Sequence, residues 1–320
     1  MKFTRGLTAV AVSATLAIGL AACNRDTGPE PGATGATGAA GGKSVTLALS
    51  TLNNPFFVDV RDGAQAKADE LGIKLDVVDA QNDSTTQANQ IANGVTGGAA
   101  GIIINPVDSD AAGAAVAPAI AKPVPVVGVD RAVNGAEITS LVSSDNVAGG
   151  KQAAEALAKA IGEKGKVIVL QGVAGTSASR DRGQGFTEGI KAFPDIEVVA
   201  MQTANFDRAQ GLDVTTNLLQ SNPDVVGIFA ENDEMALGAL QALGDRAGKD
   251  VMVFGFDGTA DGLTAVEAGT MVGTIAQQPK ELGAQAVTIM SKVLAGESVE
   301  KDVPVAVQTV TADNVAEFQS

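Results

Sequence analysis

Residues 225–240 read VVGIFAENDEMALGAL, in which a short β-branched run is followed by polar residues and then by an Ala- and Leu-rich stretch. The first part is typical of a buried strand and the last part favours a helix. The same order recurs along the chain from Ser44 onward. Uniformly apolar strands that alternate with helices indicate parallel sheets covered on both faces. The segment therefore predicts an α/β fold.

The alternation runs through the chain twice, because the pattern restarts after SSDN (143–146). We therefore predict two doubly wound, Rossmann-like lobes with parallel sheets. The predicted strands lie near 45–50, 74–79, 101–104, 125–129, 138–142, 166–170, 196–201, 225–229, 251–255, 272–276 and 303–307. The predicted helices lie near 56–71, 84–97, 108–120, 146–163, 179–193, 207–221, 232–244 and 279–295.

The elements after the second half indicate that the C-terminal segment returns to the first lobe. More than one crossing would form a multi-strand hinge and favour closure of the lobes around a ligand. A single crossing is the alternative that the pattern leaves open. The predicted N-terminal lobe comprises 44–144 with 278–306, and the C-terminal lobe comprises 145–277 with 307–320.

Composition excludes several classes of function. The 320 residues include no His, Trp or Tyr and one Cys, so catalysis by a Ser-His-Asp or Cys-His system, His-ligated metal and an internal disulfide are all excluded. No segment has the spacing of a calcium loop, and we predict neither a metal nor a cofactor. A net charge of −15 argues against nucleic acid as a partner.

The N-terminus resembles a bacterial export signal. Lys2 and Arg5 precede an apolar run from Leu7 to Leu20, and small residues then lead to Cys23. This order resembles a lipobox, which implies that residues 1–22 are a cleaved signal peptide and that Cys23 carries the lipid. Residues 23–43 would form the anchor and a flexible, Gly-rich tether. An ordinary secretion signal with an incidental Cys is the alternative.

Polar residues follow the strands where the carboxyl ends of a parallel sheet bind ligands. The Phe pair after the first strand has two interpretations, either as core or as pocket, and Asp207 is best explained as a helix cap. Two Arg and two Asp side chains have no net charge, and planar polar groups beside aromatic rings suit a neutral polyol. The candidates are Asn54, Phe56, Phe57, Asp130, Arg131, Arg182, Phe206, Asn232, Phe256, Asp257 and Gln277.

Six stretches of the chain resemble one family. They are STLNNPFF (50–57), INPVDSDA (104–111), SDNVAGGK (144–151), LQGVAGTSASRDRGQGF (170–186), AENDEMALGAL (230–240) and VFGFDGT (253–259). Together they resemble the bacterial ribose-binding proteins, which belong to the pentose- and hexose-binding proteins that feed ABC importers. The resemblance implies the type I periplasmic-binding-protein fold. It runs from about Lys43 to about Val310.

The resemblance also implies roles for the candidate residues. The polar side chains from both lobes would hold a monosaccharide, ribose by preference, while Phe56, Phe57, Phe206 and Phe256 stack on it and Gln277 lies at the hinge. The closed form would dock on a membrane permease of an ABC importer. We expect a monomer outside the cytoplasm, and a chemoreceptor is a further candidate partner.

Rival interpretations remain at this point. Asp130 and Asp257 could form the carboxylate pair of a glycosidase, although adjacent guanidinium groups should keep both ionised, so we predict no enzyme activity. A sugar-responsive repressor would need a DNA-binding module where this chain has a signal-like segment. Within the binding class, allose, xylose, galactose or a furanose signal molecule are the alternative ligands.

Overall fold

The computed structural model describes residues 43–319, so the predicted signal peptide 1–22 and the lipid site at Cys23 lie outside the described residues. The strands are β1 (Ser44–Leu49), β2 (Lys74–Asp79), β3 (Gly101–Ile104), β4 (Val126–Val129), β5 (Ser140–Ser144), β6 (Gly165–Gln171), β7 (Ile196–Thr203), β8 (Val225–Ala230), β9 (Met252–Asp257), β10 (Gly273–Ala276), β11 (Asp302–Val305) and β12 (Gln308–Thr311). The helices are α1 (Pro55–Leu71), α2 (Ser84–Thr96), α3 (Ala112–Ala121), α4 (Asn146–Ala160), α5 (Ser177–Ile190), α6 (Arg208–Ser221), α7 (Asp233–Leu243), α8 (Ala260–Glu267) and α9 (Pro279–Leu294).

The first sheet has the strand order β11-β5-β4-β3-β1-β2, and every neighbouring pair is parallel. Leu47 of β1 packs with α1 and α9 on one face, whereas Ala48 packs with α2 and α3 on the other. Successive residues of a strand point to opposite faces, so a strand covered by helices on both sides must be apolar throughout.

The second sheet repeats this plan with the order β12-β10-β9-β8-β6-β7. All pairs are parallel except β12, which runs antiparallel to β10 at the edge. Helices α4 and α5 cover one face, and α6, α7 and α8 cover the other. The predicted α/β class with two doubly wound lobes is confirmed.

The chain passes between the two sheets three times, after β5, after β10 and after β11. This confirms a multi-strand hinge and excludes a single crossing. The second passage leads into α9, which packs so closely on α1 that a Cβ on Gly283 would lie 2.0 Å from the carbonyl oxygen of Val60. The exact lobe boundaries stated above stay a prediction.

The structure differs from the predicted elements at three places. The strand expected over 303–307 ends at Val305 as β11 of the first sheet, and a further strand that was not predicted, β12, follows it in the second sheet. Helix α8 was not predicted, because its eight residues are too few to show a helical period. Helix α3 begins at Ala112 instead of near 108, since the Asp108 carboxylate accepts the backbone N–H groups of Asp110 and Ala111 in a preceding turn.

Candidate functional site

The predicted site residues meet where the carboxyl ends of the two sheets face each other. Nine of the eleven line one pocket together with Ala178. The other two lie directly behind it, with the Phe256 ring packed under a pocket residue and Gln277 bonded to another. The nine are Asn54, Phe56, Phe57, Asp130, Arg131, Arg182, Phe206, Asn232 and Asp257.

Guanidinium groups and phenylalanine rings form a continuous stack across the pocket. The Arg131 Cζ lies 5.2 Å from the Phe57 ring centre and 5.5 Å from that of Phe206. The Arg182 Cζ lies 5.7 Å from the Phe206 ring and 3.9 Å from the Phe256 ring. Arg131 follows a strand of the first sheet and Phe206 one of the second, so this cation–π stack joins the lobes. Phe57 also belongs to the hydrophobic core, so both interpretations of the Phe pair hold for its position.

Each aspartate of the pocket is paired with an arginine. Asp130 Oδ2 lies 3.6 Å from Arg131 Nε, and Asp257 Oδ1 lies 3.5 Å from Arg182 Nη1. The Gln277 Nε2 also donates to Asp257 Oδ1 at 2.7 Å. Two positive and two negative groups are therefore enclosed with zero formal charge.

Burial changes the pKa of these two carboxyl groups more than the neighbouring guanidinium groups do. It raises the pKa of Asp130 and the pKa of Asp257, the latter well above its usual range, and the neighbouring arginines only reduce this effect. The pKa shifts therefore run opposite to the direction that we expected from the adjacent arginines. The reason is that removing a charge from water costs more than a contact of about 3.5 Å returns. Burial also lowers the pKa of Arg131 to about 10, which still leaves the guanidinium charged at neutral pH.

Three pocket residues adopt a backbone conformation that side chains rarely take. The φ angle is 66° at Asp130, 58° at Phe206 and 130° at Asp257. Such strain persists only where the surroundings enforce it, and it concentrates at functional sites. The Phe206 ring packs directly on Gly172, where a Cβ would lie 2.0 Å from the ring.

The two asparagines of the pocket are also helix caps. Asn54 Oδ1 accepts the N–H of Phe56 at the start of α1, and Asn232 Oδ1 accepts the N–H of Met235 in α7. Each cap fixes the amide oxygen and turns the amide nitrogen away from the helix. The Asn232 Nδ2 then donates to the Phe206 carbonyl at 3.3 Å. Asp207 caps α6 as predicted.

Residues outside the predicted set hold the arginines and aspartates in place. Arg182 Nε donates to Asn146 Oδ1 at 2.8 Å, and its Nη1 donates to the Glu231 carbonyl at 2.6 Å. Asn105, which has no exposed surface, donates to Asp130. Asn105, Asn146 and Glu231 each follow a strand within a quoted motif, and that position was the available signal.

The lobes also touch outside the pocket, through a contact that we call the serine latch. The backbone N–H of Ser177 donates to Ser109 Oγ at 3.0 Å, and the N–H of Ala132 donates to Ser177 Oγ at 2.8 Å. The N–H of Ser109 donates to the Gly175 carbonyl at 3.1 Å. Each of these hydrogen bonds joins a segment that follows a strand of the first sheet to one that follows a strand of the second, so the structure is a closed form.

Little room is left between the closed lobes. Free space inside the pocket amounts to about 10 Å³, close to what one water molecule occupies. A cavity of about 120 Å³ adjoins it and shares Asn54, Phe57, Arg131 and Phe206. A larger open groove of about 580 Å³ lies along α5 and β7, but none of the predicted residues line it. The chemistry therefore points to the smaller, enclosed pocket.

Residues 43–319 also bear on metal binding and on membrane insertion. Within them, His, Cys, Asp and Glu form no group of three or more suited to a metal ion. Among the helices described, none has the length and apolar character needed to cross a membrane.

Comparison with known families identifies the chain. Residues 45–298 match the family model described as a periplasmic binding protein domain. The chain belongs to the periplasmic binding protein family.

Relatives of this periplasmic binding protein are similar over nearly their whole length. It is 50% identical to the ribose import binding protein RbsB of Haemophilus influenzae, over 84% of this chain and 91% of the relative. An ABC transporter solute-binding protein of Bacillus halodurans with bound myo-inositol is similar in structure, with a TM-score of 0.82, 32% identity and coverage of 88% and 99%. One from Actinobacillus succinogenes with bound D-allose has a TM-score of 0.80, 32% identity and coverage of 86% and 99%.

Proposed function

We propose that this protein captures a monosaccharide, D-ribose by preference, between its two lobes and delivers it to an ABC-type importer. The single observation that carries the proposal is the pocket itself, in which paired arginines and aspartates with zero formal charge adjoin stacked phenylalanines. The similarity to a ribose import binding protein at 50% identity supports ribose as the preferred sugar.

The chemistry of a sugar matches the pocket. A sugar hydroxyl both donates and accepts, so it needs carboxylate or amide oxygens beside guanidinium or amide N–H groups. In our proposal Asp130, Arg131 and Asn54 serve the hydroxyls from the first lobe, while Arg182, Asn232 and Asp257 serve them from the second. The rings of Phe56, Phe57 and Phe206 cover the C–H faces of the sugar, Phe256 supports Arg182, and Gln277 supports Asp257.

Binding in this proposal proceeds from an open form. The 10 Å³ left in the closed pocket does not admit a sugar, so the lobes part or side chains shift before entry. Closure then adds the hydrogen bonds of the second lobe. The ligand stabilises the closed form only to the extent that it binds that form more tightly than the open form. The permease would recognise the closed form, and no step requires bond making or an enzyme activity.

We also propose an extracytoplasmic location with a lipid at Cys23. The support is the order of basic residues, apolar run and small residues before Cys23. The lipid would keep the protein close to its permease and raise its effective concentration there. A monomeric state and a chemoreceptor partner stay predictions.

Another sugar is the second candidate. The structural relatives bind myo-inositol and D-allose, so the same scaffold accepts other polyols. Calorimetric titration of residues 24–320 with a pentose and hexose panel separates the candidates. We expect the tightest binding for ribose, and ribose binding no tighter than millimolar would contradict the specific proposal.

The site assignment is tested by Arg131→Ala and Asp257→Ala. Each removes a charged hydrogen-bonding group from a buried pocket, so we expect binding to weaken by about 2–4 kcal/mol. Titration of both variants with the preferred sugar measures the loss. A loss below about 0.5 kcal/mol in both variants means that the pocket is assigned to the wrong residues.

A further inference from the structure

Asn105 lies behind the pocket, at the point where three strands of the first sheet end. It directly follows β3, and its side chain contacts the ends of β1 and β4. It has no exposed surface, so it does not line the pocket. Its Nδ2 donates to Asp130 Oδ2 at 3.1 Å and to the Val129 carbonyl at 3.2 Å.

The orientation of this amide follows from its partners. The backbone N–H of Ser50 lies 3.3 Å from Asn105 Oδ1, and a backbone N–H can only donate. The Ser50 hydroxyl donates to the same oxygen at 2.6 Å. The amide oxygen must therefore face Ser50, and the amide nitrogen must face Asp130.

The backbone of Asn105 is held as firmly as its side chain. Its N–H donates to the Ala48 carbonyl at 2.9 Å, and its carbonyl accepts the Gln87 Nε2 at 2.8 Å. Gln87 is itself buried and accepts the N–H of Val107 at 3.0 Å. Asn105 thus has little freedom to turn away from Asp130.

One oxygen of Asp130 is occupied and the other is not. Oδ2 accepts from Asn105 and lies next to Arg131, whereas Oδ1 is buried and has no hydrogen-bond partner within the described chain. A buried carboxylate oxygen without a partner is costly unless a ligand supplies a donor. The arrangement leaves Oδ1 as the acceptor for a sugar hydroxyl.

We propose that Asn105 is a positioning residue for sugar binding. Its amide donates to one oxygen of Asp130, and it thereby directs the other oxygen toward the ligand. The proposal rests on the proposed function, which it deepens by one residue that does not itself touch the sugar.

The variant Asn105→Asp tests this because it has nearly the same shape. One oxygen still accepts from Ser50, while the other donates to Asp130 only when it carries a proton. The charged or titratable groups that face this pair are Arg131, Arg182 and Asp257. Since wild type shares these groups, the affinity ratio of variant to wild type reports the carboxyl pair that Asn105→Asp forms with Asp130.

Calorimetric titration from pH 5 to pH 9 would measure the sugar affinity of the variant and of wild type. The variant should bind within about threefold of wild type at pH 5 and at least about tenfold more weakly at pH 9, the size of a lost hydrogen bond to a charged group. Asn93→Asp, on the exposed face of α2, makes the same charge change and should match wild type throughout. Asn105→Leu cannot donate and should bind weakly at every pH.

A constant ratio of variant to wild-type affinity across the pH range overturns the proposal, because a purely structural role would lower affinity equally at each pH. Wild-type binding by Asn105→Leu overturns it as well. If Asn105→Asp does not fold, Ser50→Ala removes one of the two donors that orient the amide and should weaken binding about threefold; unchanged affinity there counts against the proposal. Failure of the proposed function is distinguishable, since wild type itself would then bind no sugar.

Discussion

Replacing Glu231 with glutamine is expected to remove a large part of the pH dependence of folding stability. Glu231 follows β8 and its side chain has no exposed surface. Its Oε2 accepts the backbone N–H of Gly172 at 2.7 Å and the hydroxyl of Ser179, while its Oε1 has no hydrogen-bond partner in the described chain. Burial outweighs these hydrogen bonds and the nearby Arg182, and it raises the pKa of Glu231 to about 7.

The size of the expected change in stability follows from the shift in the pKa of Glu231. The folded-state pKa is about 7 and the ordinary value is 4.5, so the folded protein holds this proton more tightly than the unfolded chain does. A raised folded-state pKa contributes stability that is complete below pH 4.5 and is lost as the pH rises through about 7. At about 1.4 kcal/mol per pKa unit, the free energy of unfolding should fall by about 3 kcal/mol over this window.

Urea denaturation at intervals from pH 4 to pH 8 measures this loss. Glu231→Gln keeps an oxygen for Gly172 and Ser179 and cannot ionise, so its stability curve should lack the contribution of about 3 kcal/mol. Burial also raises the pKa of Asp233 to about 6, so part of the slope remains in the variant. Glu155→Gln, at an exposed position of α4, changes the net charge equally and should leave the slope unchanged. Equal slopes for wild type and Glu231→Gln would refute the reasoning.

Three further changes have defined outcomes. The double variant Ser109→Ala/Ser177→Ala removes both hydroxyls of the serine latch. Sugar affinity should fall about tenfold, and small-angle scattering should show a more open form. An unchanged affinity and an unchanged radius of gyration would contradict this. Gly172→Ala places a Cβ 2.0 Å from the Phe206 ring, so it should displace the ring. We expect a loss of about 1–3 kcal/mol in sugar binding, measured by titration, or in stability, measured by melting. Wild-type values in both measurements would contradict this. Cys23→Ser should move the protein expressed in bacteria from the detergent phase to the aqueous phase in a Triton X-114 partition, and retention in the detergent phase would argue against lipid at Cys23.

Most strands and helices could be predicted because each carries its signal within a few residues. A strand such as Ile102–Ile104, covered on both faces, must be apolar at every position. The two strands at the end of the chain could not be separated in this way. The run VPVAV (303–307) continues directly into QTVT (308–311), and only the pairing of β11 with β5 and of β12 with β10 assigns the two segments to different sheets.

Part of the functional site could likewise be predicted from the sequence, and part could not. Residues such as Asp130 and Asn232 lie one or two positions beyond a strand end. The carboxyl ends of parallel strands form the ligand-binding edge, so the proximity of these residues was predictable. The contribution of Asn105 could not be predicted. Its role depends on its amide oxygen facing Ser50, which follows the neighbouring strand β1 in the sheet. The direction of the pKa shift at Asp257 also escaped prediction, since it depends on burial between lobes that are distant in sequence.

The amino-acid sequence by itself determined the α/β class, the repetition of one plan in two lobes, and the edge at which polar and aromatic residues gather. It did so because strand periodicity and strand ends are local properties. Only the tertiary structure decided which aspartate oxygen has a partner, how the serine latch joins the lobes, and how strongly burial opposes ionisation. Those properties depend on distance and on exclusion of water, which exist only once the two lobes are folded and closed on each other.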